Sequence, residues 1–340
     1  MNALFIGGTG IISTACAELA LQRGIELTLI TRGQHQSRLS KDVQTIALDI
    51  RDISAAKQKL ANLSFDTVVD WISFTPADIE RDLELFRGRA RQFIFISSAS
   101  AYQKPAADYL ITESTPLANP FWQYSRDKLA CEERLMRAYR EENFPVTIVR
   151  PSLTYGDTQL PLVTNTWEKP YTIVDRMLRR QKVVVPGDGA SLWTITHNTD
   201  FAKGFVGLIG HRLALGHAFH ITSDEALTWD QYYQLTAEVL GVEARIVHIP
   251  SDFIAACIPE KTGTLLGDKS RSAIFDNSKI KRFVPDYCAT VPFSQGVRRT
   301  ISWLQADSAR QQIDQSANAM WDKLIDLYEK GLAAACAAFQ

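Results

Sequence analysis

No two cysteines in this chain are spaced as a metal knuckle or a redox motif would space them. The five stand singly at positions 16, 131, 257, 288 and 336. An odd, scattered set suits neither zinc nor a disulfide framework and points to a reducing compartment. The six histidines show no metal-like pairing with carboxylates, so no metal is expected. Neither sign of charge is concentrated anywhere: 37 Lys and Arg stand against 38 Asp and Glu, with no long basic run. Nothing electrostatic therefore draws the chain to nucleic acid or to an anionic membrane. Extended apolar stretches are missing too. The opening MNALFIGGTG has no basic region and breaks at once into glycines, and the alanine-rich Gly331–Phe339 is too short to span a bilayer. A cytoplasmic location is the expectation.

What is present is a steady alternation of short apolar runs with amphipathic stretches. Strands are expected at Ala3–Ile6, Glu26–Ile30, Thr45–Leu48, Thr67–Trp71, Gln92–Ile96 and Pro145–Val149. Helices are expected at Ser13–Gln22, Ser54–Leu60, Ala77–Phe86 and Trp122–Glu141. The strands are apolar on both faces, as parallel strands covered by helices on either side must be. This predicts an α/β fold, a Rossmann-like doubly wound parallel sheet. After Tyr155 the pattern loosens. Thr228-Trp-Asp-Gln231 reads as a capping box opening a helix that stops at Gly241, and helices are expected at Ser294–Gln305 and Ala317–Tyr328. The expected organisation is a dinucleotide-binding domain over 1–156 and a smaller, mixed α/β C-terminal lobe over 157–340, mainly for substrate. Parts of 190–215 are expected to pack back on the first domain.

Gly7-Gly8-Thr9-Gly10-Ile11-Ile12-Ser13 falls between the first strand and the first helix. Glycines there permit a tight turn and let a pyrophosphate approach the helix N-terminus. Ser13 replaces the usual third glycine. The second strand ends in Thr31-Arg32, where an NAD site would place Asp or Glu on the ribose 2′-hydroxyl. A guanidinium suits a 2′-phosphate, so the cofactor reads as NAD(P), leaning to NADP(H). An exposed surface arginine is the alternative. Asp49 and Ile50 follow the third strand and could flank an adenine, or Asp49 could cap the next helix.

Tyr124 and Lys128 form a YxxxK pair on one helix face. A phenol of pKa about 10 makes a poor base at neutral pH, and a nearby ammonium would lower it toward working range. Ser98, just past the fifth strand, can donate to a substrate oxygen at the carboxyl edge of the sheet. Ser97 is adjacent, and which of the two faces the cleft is open. His197 reads as a structural histidine and Cys131 as helix packing. Trp71, Trp122 and Trp193 could line a substrate pocket or pack in the core.

In this order and spacing, these elements resemble the extended short-chain dehydrogenase/reductase (SDR) family, which includes the NAD-dependent epimerases and dehydratases of nucleotide sugars. Arg150-Pro-Ser-Leu-Thr-Tyr-Gly156 is similar to that family's RPxxxYG segment. Val184–Gly189 and Trp193–Ala202 resemble its downstream signature. The resemblance implies an enzyme transferring hydride between a nicotinamide cofactor and a hydroxyl or ketone of a sugar-like small molecule. Ser98, Tyr124 and Lys128 would be catalytic. Trp71, Ile72, Ser73, Ser97, Lys128, Pro151 and Ser152 would join the glycine turn in holding cofactor. Ser98, Ser100, Tyr124, Leu153 and Trp193 would contact substrate. A homodimer through about 77–87 and 122–141 is also implied.

Two departures bear on substrate. Leu153 stands where nucleotide-sugar enzymes usually carry Asn, and Trp193 where they tend to carry a diphosphate-binding Arg. Trp193 offers instead a flat apolar surface for stacking on a sugar ring. Arg271, Lys279 or Lys281 could supply phosphate contacts from elsewhere. Two further readings stand beside the leading one: a nucleotide-sugar 4-epimerase or dehydratase holding NAD tightly, and an SDR-like dinucleotide or RNA binder without turnover.

Overall fold

The computed structural model describes residues 1–33 and 43–340. Seven parallel strands form its central sheet: β1 (Asn2–Ile6), β2 (Glu26–Thr31), β3 (Gln44–Ala47), β4 (Thr67–Asp70), β5 (Phe93–Ile96), β6 (Val146–Pro151) and β7 (Ala218–Ile221). Their order across the sheet is β7-β6-β5-β4-β1-β2-β3. β1 pairs with both β2 and β4, so the chain reverses direction across the sheet at that point, and a crevice opens above the carboxyl ends of those strands. Six of the strands match the sequence expectation. The seventh comes from well beyond residue 156.

Helices cover both faces because the strands between them present apolar side chains both ways. On one side α1 (Ile11–Gln22) and α6 (Asn198–Leu208) pack together, burying Cys16, Ala20, Phe201 and Phe205 over Phe5 and Val69. On the other, α2 (Ile53–Leu60), α3 (Pro76–Phe86) and α4 (Gln123–Glu142) bury Leu60, Leu83, Cys131 and Leu135 over Leu4, Val68 and Phe93. In α4, Lys128, Cys131, Leu135 and Ala138 fall on the buried face at helical spacing. The helix ends at Asn143 in the left-handed region, φ 55°. Cys131 is thus packing, as expected.

The remaining chain builds a second apolar cluster around Tyr155, Trp193, Trp229, Tyr232 and Phe293. It gathers α5 (Tyr171–Leu178), α7 (Trp229–Val239), helix Phe293–Gln305 and short parallel pairs such as Lys182–Pro186 with Arg245–Ile249. The capping box is present in full: Gln231 N–H donates to Thr228 Oγ1 at 3.2 Å, and Thr228 N–H to Gln231 Oε1 at 2.9 Å. No helix among the described residues is long and apolar enough to cross a membrane.

Candidate active site

The glycine turn closes over β1. Gly7 has φ 90°, and a Cβ there would lie 2.9 Å from Ile72 Cγ2, so only glycine fits against the loop after β4. Gly8 has φ 109° and packs on Leu29. Gly10 is the N-cap of α1, and its N–H donates to Ser13 Oγ at 2.9 Å. Ser13 is therefore more than a small substitute: its hydroxyl satisfies one backbone donor at the helix start. The next N–H groups, of Ile11 and Ile12, belong to the first turn, where no intrahelical acceptor exists.

Beside this turn is a cavity of about 290 Å³ at the carboxyl ends of β1 to β4. Gly7, Thr9, Thr31, Arg32, Asp49, Ile50 and Ile72 line it as the sequence suggests. Arg51 and Phe74 line it too and were not anticipated. Asp49 is no helix cap: its Oδ1 accepts the Arg51 N–H at 3.0 Å, while Asp52 caps α2. Its position at the switch point, the two left-handed glycines and two guanidinium groups fit a dinucleotide. Trp71 lies beneath instead, its ring 5.7 Å from Phe5 and 4.9 Å from Phe205. It packs against the core, and its Nε1 has no hydrogen-bond partner among the described residues. Pro151 is buried in β6, and Ser152 follows, half-buried, its Oγ without a hydrogen-bond partner among the described residues.

The two serines after β5 point in opposite directions. Ser97 Oγ donates to Glu132, which is also held by Arg150 at 2.9 and 2.6 Å, and both ionic groups are buried. Ser97 therefore faces an internal ion pair, and its N–H is spent on Val149 O. It offers cofactor no side chain, contrary to expectation. Ser98 Oγ is half-buried and lies 2.9 Å from Ser100 Oγ, which accepts from Ser125 Oγ at 2.8 Å. Ser100 is buried behind Ser98 and does not reach the cleft, so its expected substrate contact is replaced by a supporting one.

Tyr124 meets the Ser98 hydroxyl, with its ring 5.0 Å from Trp122 and 6.2 Å from Phe74. Burial pushes its phenol up, the Ser98 contact pulls it down, and Asp268 raises it again. No lowering by Lys128 accompanies this: its Nζ lies 5.9 Å from the Tyr124 ring centroid, and its hydrogen bonds go to carbonyls rather than to the phenol. Lys128 Nζ donates to Ser73 O and Ile96 O, each at 2.7 Å, with Phe74 and Phe95 rings 4.5 and 4.8 Å away. Burial pushes it down to about 8, with Asp70 opposing. Ser73 is locked in turn. Its Oγ donates to Asp70 or Asp82, each at 2.8 Å, and accepts from Arg81 at 2.8 Å. Asp82 is pushed well up by burial and by Asp70, against Arg81.

Trp193 contradicts the stacking expectation. It is 2% exposed, its Nε1 donates to Arg271 O at 2.9 Å, and its ring lies between Trp229 at 5.4 Å and the Lys269 ammonium at 4.9 Å. A buried indole needs an acceptor for its N–H, and that carbonyl fixes it in the core. Leu153 is half-buried in a short strand, Leu153–Tyr155, paired with Ile195–His197. His197 is structural: it caps α6 and bonds Asp157 at 3.1 Å and Thr199 at 2.8 Å. Of the alternative cations, Lys279 donates to Ala218 O and Lys281 to Asp224.

The switch-point crevice, glycine turn and Ser–Tyr–Lys cluster define an SDR-type enzyme of the nicotinamide-dependent class. The chain belongs to the NAD dependent epimerase/dehydratase family, whose model matches residues 3–221. It is 25% identical over 293 residues to 2′-dehydrokanamycin reductase of Streptomyces kanamyceticus, spanning 84% of this chain and 80% of that one. It is 26% identical over 265 residues to chloroplast stem-loop binding protein of 41 kDa b of Arabidopsis thaliana, spanning 74% and 66%. In fold it is similar to Pal from Bacillus thuringiensis (TM-score 0.72, 20% identity, 90% of this chain and 99% of that). It is likewise similar to a UDP-glucuronic acid 4-epimerase from Bacillus cereus in complex with NAD (TM-score 0.70, 19% identity, 91% and 100%).

Proposed function

We propose that this enzyme interconverts a hydroxyl and a ketone on a carbohydrate-like small molecule, with NADP(H) as the preferred cofactor. The observation that carries the reading is the placing of Tyr124 beside Ser98, with its ring 6.2 Å from that of Phe74, which lines the cofactor cavity. The nicotinamide cofactor, when bound, supplies or accepts a hydride. Ser98 donates to the substrate oxygen and orients it. Tyr124 gives or takes the proton at that oxygen, and burial keeps the phenol protonated in the free enzyme, the form from which a reduction starts. Lys128, pinned to two carbonyls, holds the loops on either side and would supply a positive charge to the cofactor's ribose. Replacing Tyr124 by Phe should abolish turnover and leave cofactor binding intact; normal rates in the variant would refute the mechanism.

The NADP(H) preference is supported by Arg32 and Arg51, both exposed in the adenosine-side cavity, and by the lack of an acidic residue at Thr31. Arg32→Glu should reverse the preference between NADPH and NADH. Dinucleotide released from the purified, denatured protein is the discriminating observation: stoichiometric NAD would favour an internal redox cycle, as in an epimerase or dehydratase. The relative named for stem-loop binding keeps a nucleic-acid reading in view. Retention of a stem-loop RNA at low salt would support it, against a net charge of -1. A homodimer through α3 and α4 is part of the proposal. Their outward side chains are polar (Glu80, Glu84, Glu133 and Arg137), so a dimer there would be a charged interface, weakened by salt in sedimentation.

A further inference from the structure

Lys104 is the unusual cation of this molecule. It is 5% exposed, and its ammonium makes no hydrogen bond or ion pair with any described residue. Burial pushes its ammonium down, with Asp268 opposing, so the charge stands in a largely desolvated place with no carboxylate bonded to it among the described residues. Its neighbourhood is well fixed. Lys104 N–H donates to Ala118 O at 2.7 Å. The next residue, Asn119, is buried and donates from Nδ2 to Ser100 O at 2.8 Å and to Gly267 O at 2.7 Å. One amide thus ties the serine loop, the Lys104 segment and the turn Leu265–Lys269 together. Gly267 lies close against Asn119, Trp122 and Phe121; a Cβ there would meet all three at 3.1 to 3.3 Å.

The charges that act on Lys104 are Asp268, Lys269 and Arg271. Asp268 is taken: its Oδ2 lies 2.5 Å from Lys269 Nζ. Lys104 and Arg271 therefore leave the cluster net positive. The same Asp268 acts on the Tyr124 phenol, so the cluster lies beside the reacting end of the cleft.

We infer that Lys104 is a substrate-binding residue that pairs with an anionic group, a carboxylate or a phosphate, carried by the substrate near its reacting carbon. The inference rests on the reading of the Tyr124 cleft as the substrate site. An anion there would give Lys104 the partner the fold denies it and would be met by Arg271 from the solvent side. A cationic substrate would meet like charge.

The test measures binding rather than turnover, so it stands apart from the proposed reaction. Calorimetry on the full chain loaded with NADP⁺ would titrate glucuronate and glucose 1-phosphate, with glucose and glucosamine as neutral and cationic probes. At least one anion should bind about tenfold or more tighter than glucose, and which anion does so identifies the group. Lys104→Met should bring that anion to the level of glucose, and Lys104→Arg should retain part of the preference. Unchanged NADP⁺ affinity and melting temperature in both variants would show an intact fold, and should Lys104→Met not fold, the Lys104→Arg and wild-type titrations decide. Tyr124→Phe should bind the anion as wild type does even if it turns nothing over. Glucose or glucosamine binding as tightly as both anions overturns the inference. So does a folded Lys104→Met that binds the anion like wild type, and so does no measurable anion binding at millimolar concentration.

Discussion

Lys128 Nζ lies 2.7 Å from the carbonyl oxygen of Ser73, and so α4 is pinned to the loop after β4. That loop borders the glycine turn through Ile72 and Gly7. One buried ammonium therefore sets the distance between the proposed proton donor and the cofactor crevice. Desolvation lowers its pKa to about 8, below the ~10.4 of an unfolded lysine. Between those values the unfolded chain binds more protons than the native one, so this group makes native stability rise with pH across that window. The charge itself is lost there. Reduction should hold steady up to about pH 8 and fall above it as the cation at the site disappears. A pH–rate profile of kcat checks this, and an undiminished rate well above pH 8 would show that the ammonium is not needed. Lys128→Met should lack the stability change over the same interval in denaturant titrations.

Ser100 supports Ser98 without touching the cleft. The chain of hydroxyls from Ser125 through Ser100 to Ser98 holds the Ser98 hydroxyl in place, and with Ser100 donating, Ser98 is free to donate toward Tyr124 and the substrate. Ser100→Ala should lower kcat by about tenfold, the scale of one weakened hydrogen bond in the transition state, with KM for the cofactor unchanged. Ser100→Thr should restore most of it. Equal effects of both variants on melting temperature and kcat would mark the residue as packing alone.

The ion pair of Glu132 with Arg150 is buried beneath the catalytic loop and holds Ser97 turned away from the cleft. Arg150→Met would leave a buried carboxylate unpaired, a loss of ~3–5 kcal/mol. Urea unfolding should show it. Adding Glu132→Gln should recover much of that stability, because no uncompensated charge then remains. Failure of the double variant to recover would mean that Arg150 acts chiefly through its packing on the Tyr102 ring, 4.8 Å away.

These networks separate what the sequence makes legible from what it hides. Apolar runs and helix signals locate six of the seven strands, because burial on both faces writes itself into the local pattern. β7 escapes because its four residues, Ala218–Ile221, include His220, whose ring is satisfied by Tyr102 OH at 3.0 Å and Asp276 O at 2.7 Å. Spacing alone brings Ser98, Tyr124 and Lys128 to notice, since an i,i+4 pair and a strand end are local facts. Direction is not local. That Trp193 turns inward depends on Arg271 O, 78 residues away, and that Lys128 bonds a carbonyl rather than the phenol depends on Ser73 O, 55 residues away. Lys104 and Asn119 carry no pattern at all. Their roles arise only where the 100–119 and 262–271 segments meet.

Gly156 ends the RPxxxYG segment, and the reason for a glycine there is steric. A Cβ at this position would fall on the Asn198 amide. Asn198 is the first residue of α6, and its Nδ2 donates to Ile11 O at 2.7 Å in the first turn of α1. The downstream signature thus reaches back to fix the helix start on which the cofactor's pyrophosphate is expected to rest. Gly156→Ala should displace Asn198, loosen that turn and weaken dinucleotide binding by about tenfold, or ~1.4 kcal/mol. Asn198→Ala in the same chain removes the clash but also the hydrogen bond. The double variant should therefore regain melting temperature without regaining dinucleotide affinity. Measuring both quantities separates crowding from positioning: affinity that recovers together with stability would reduce Asn198 to a space-filling residue, whereas affinity that stays low makes its bond to Ile11 part of the cofactor site.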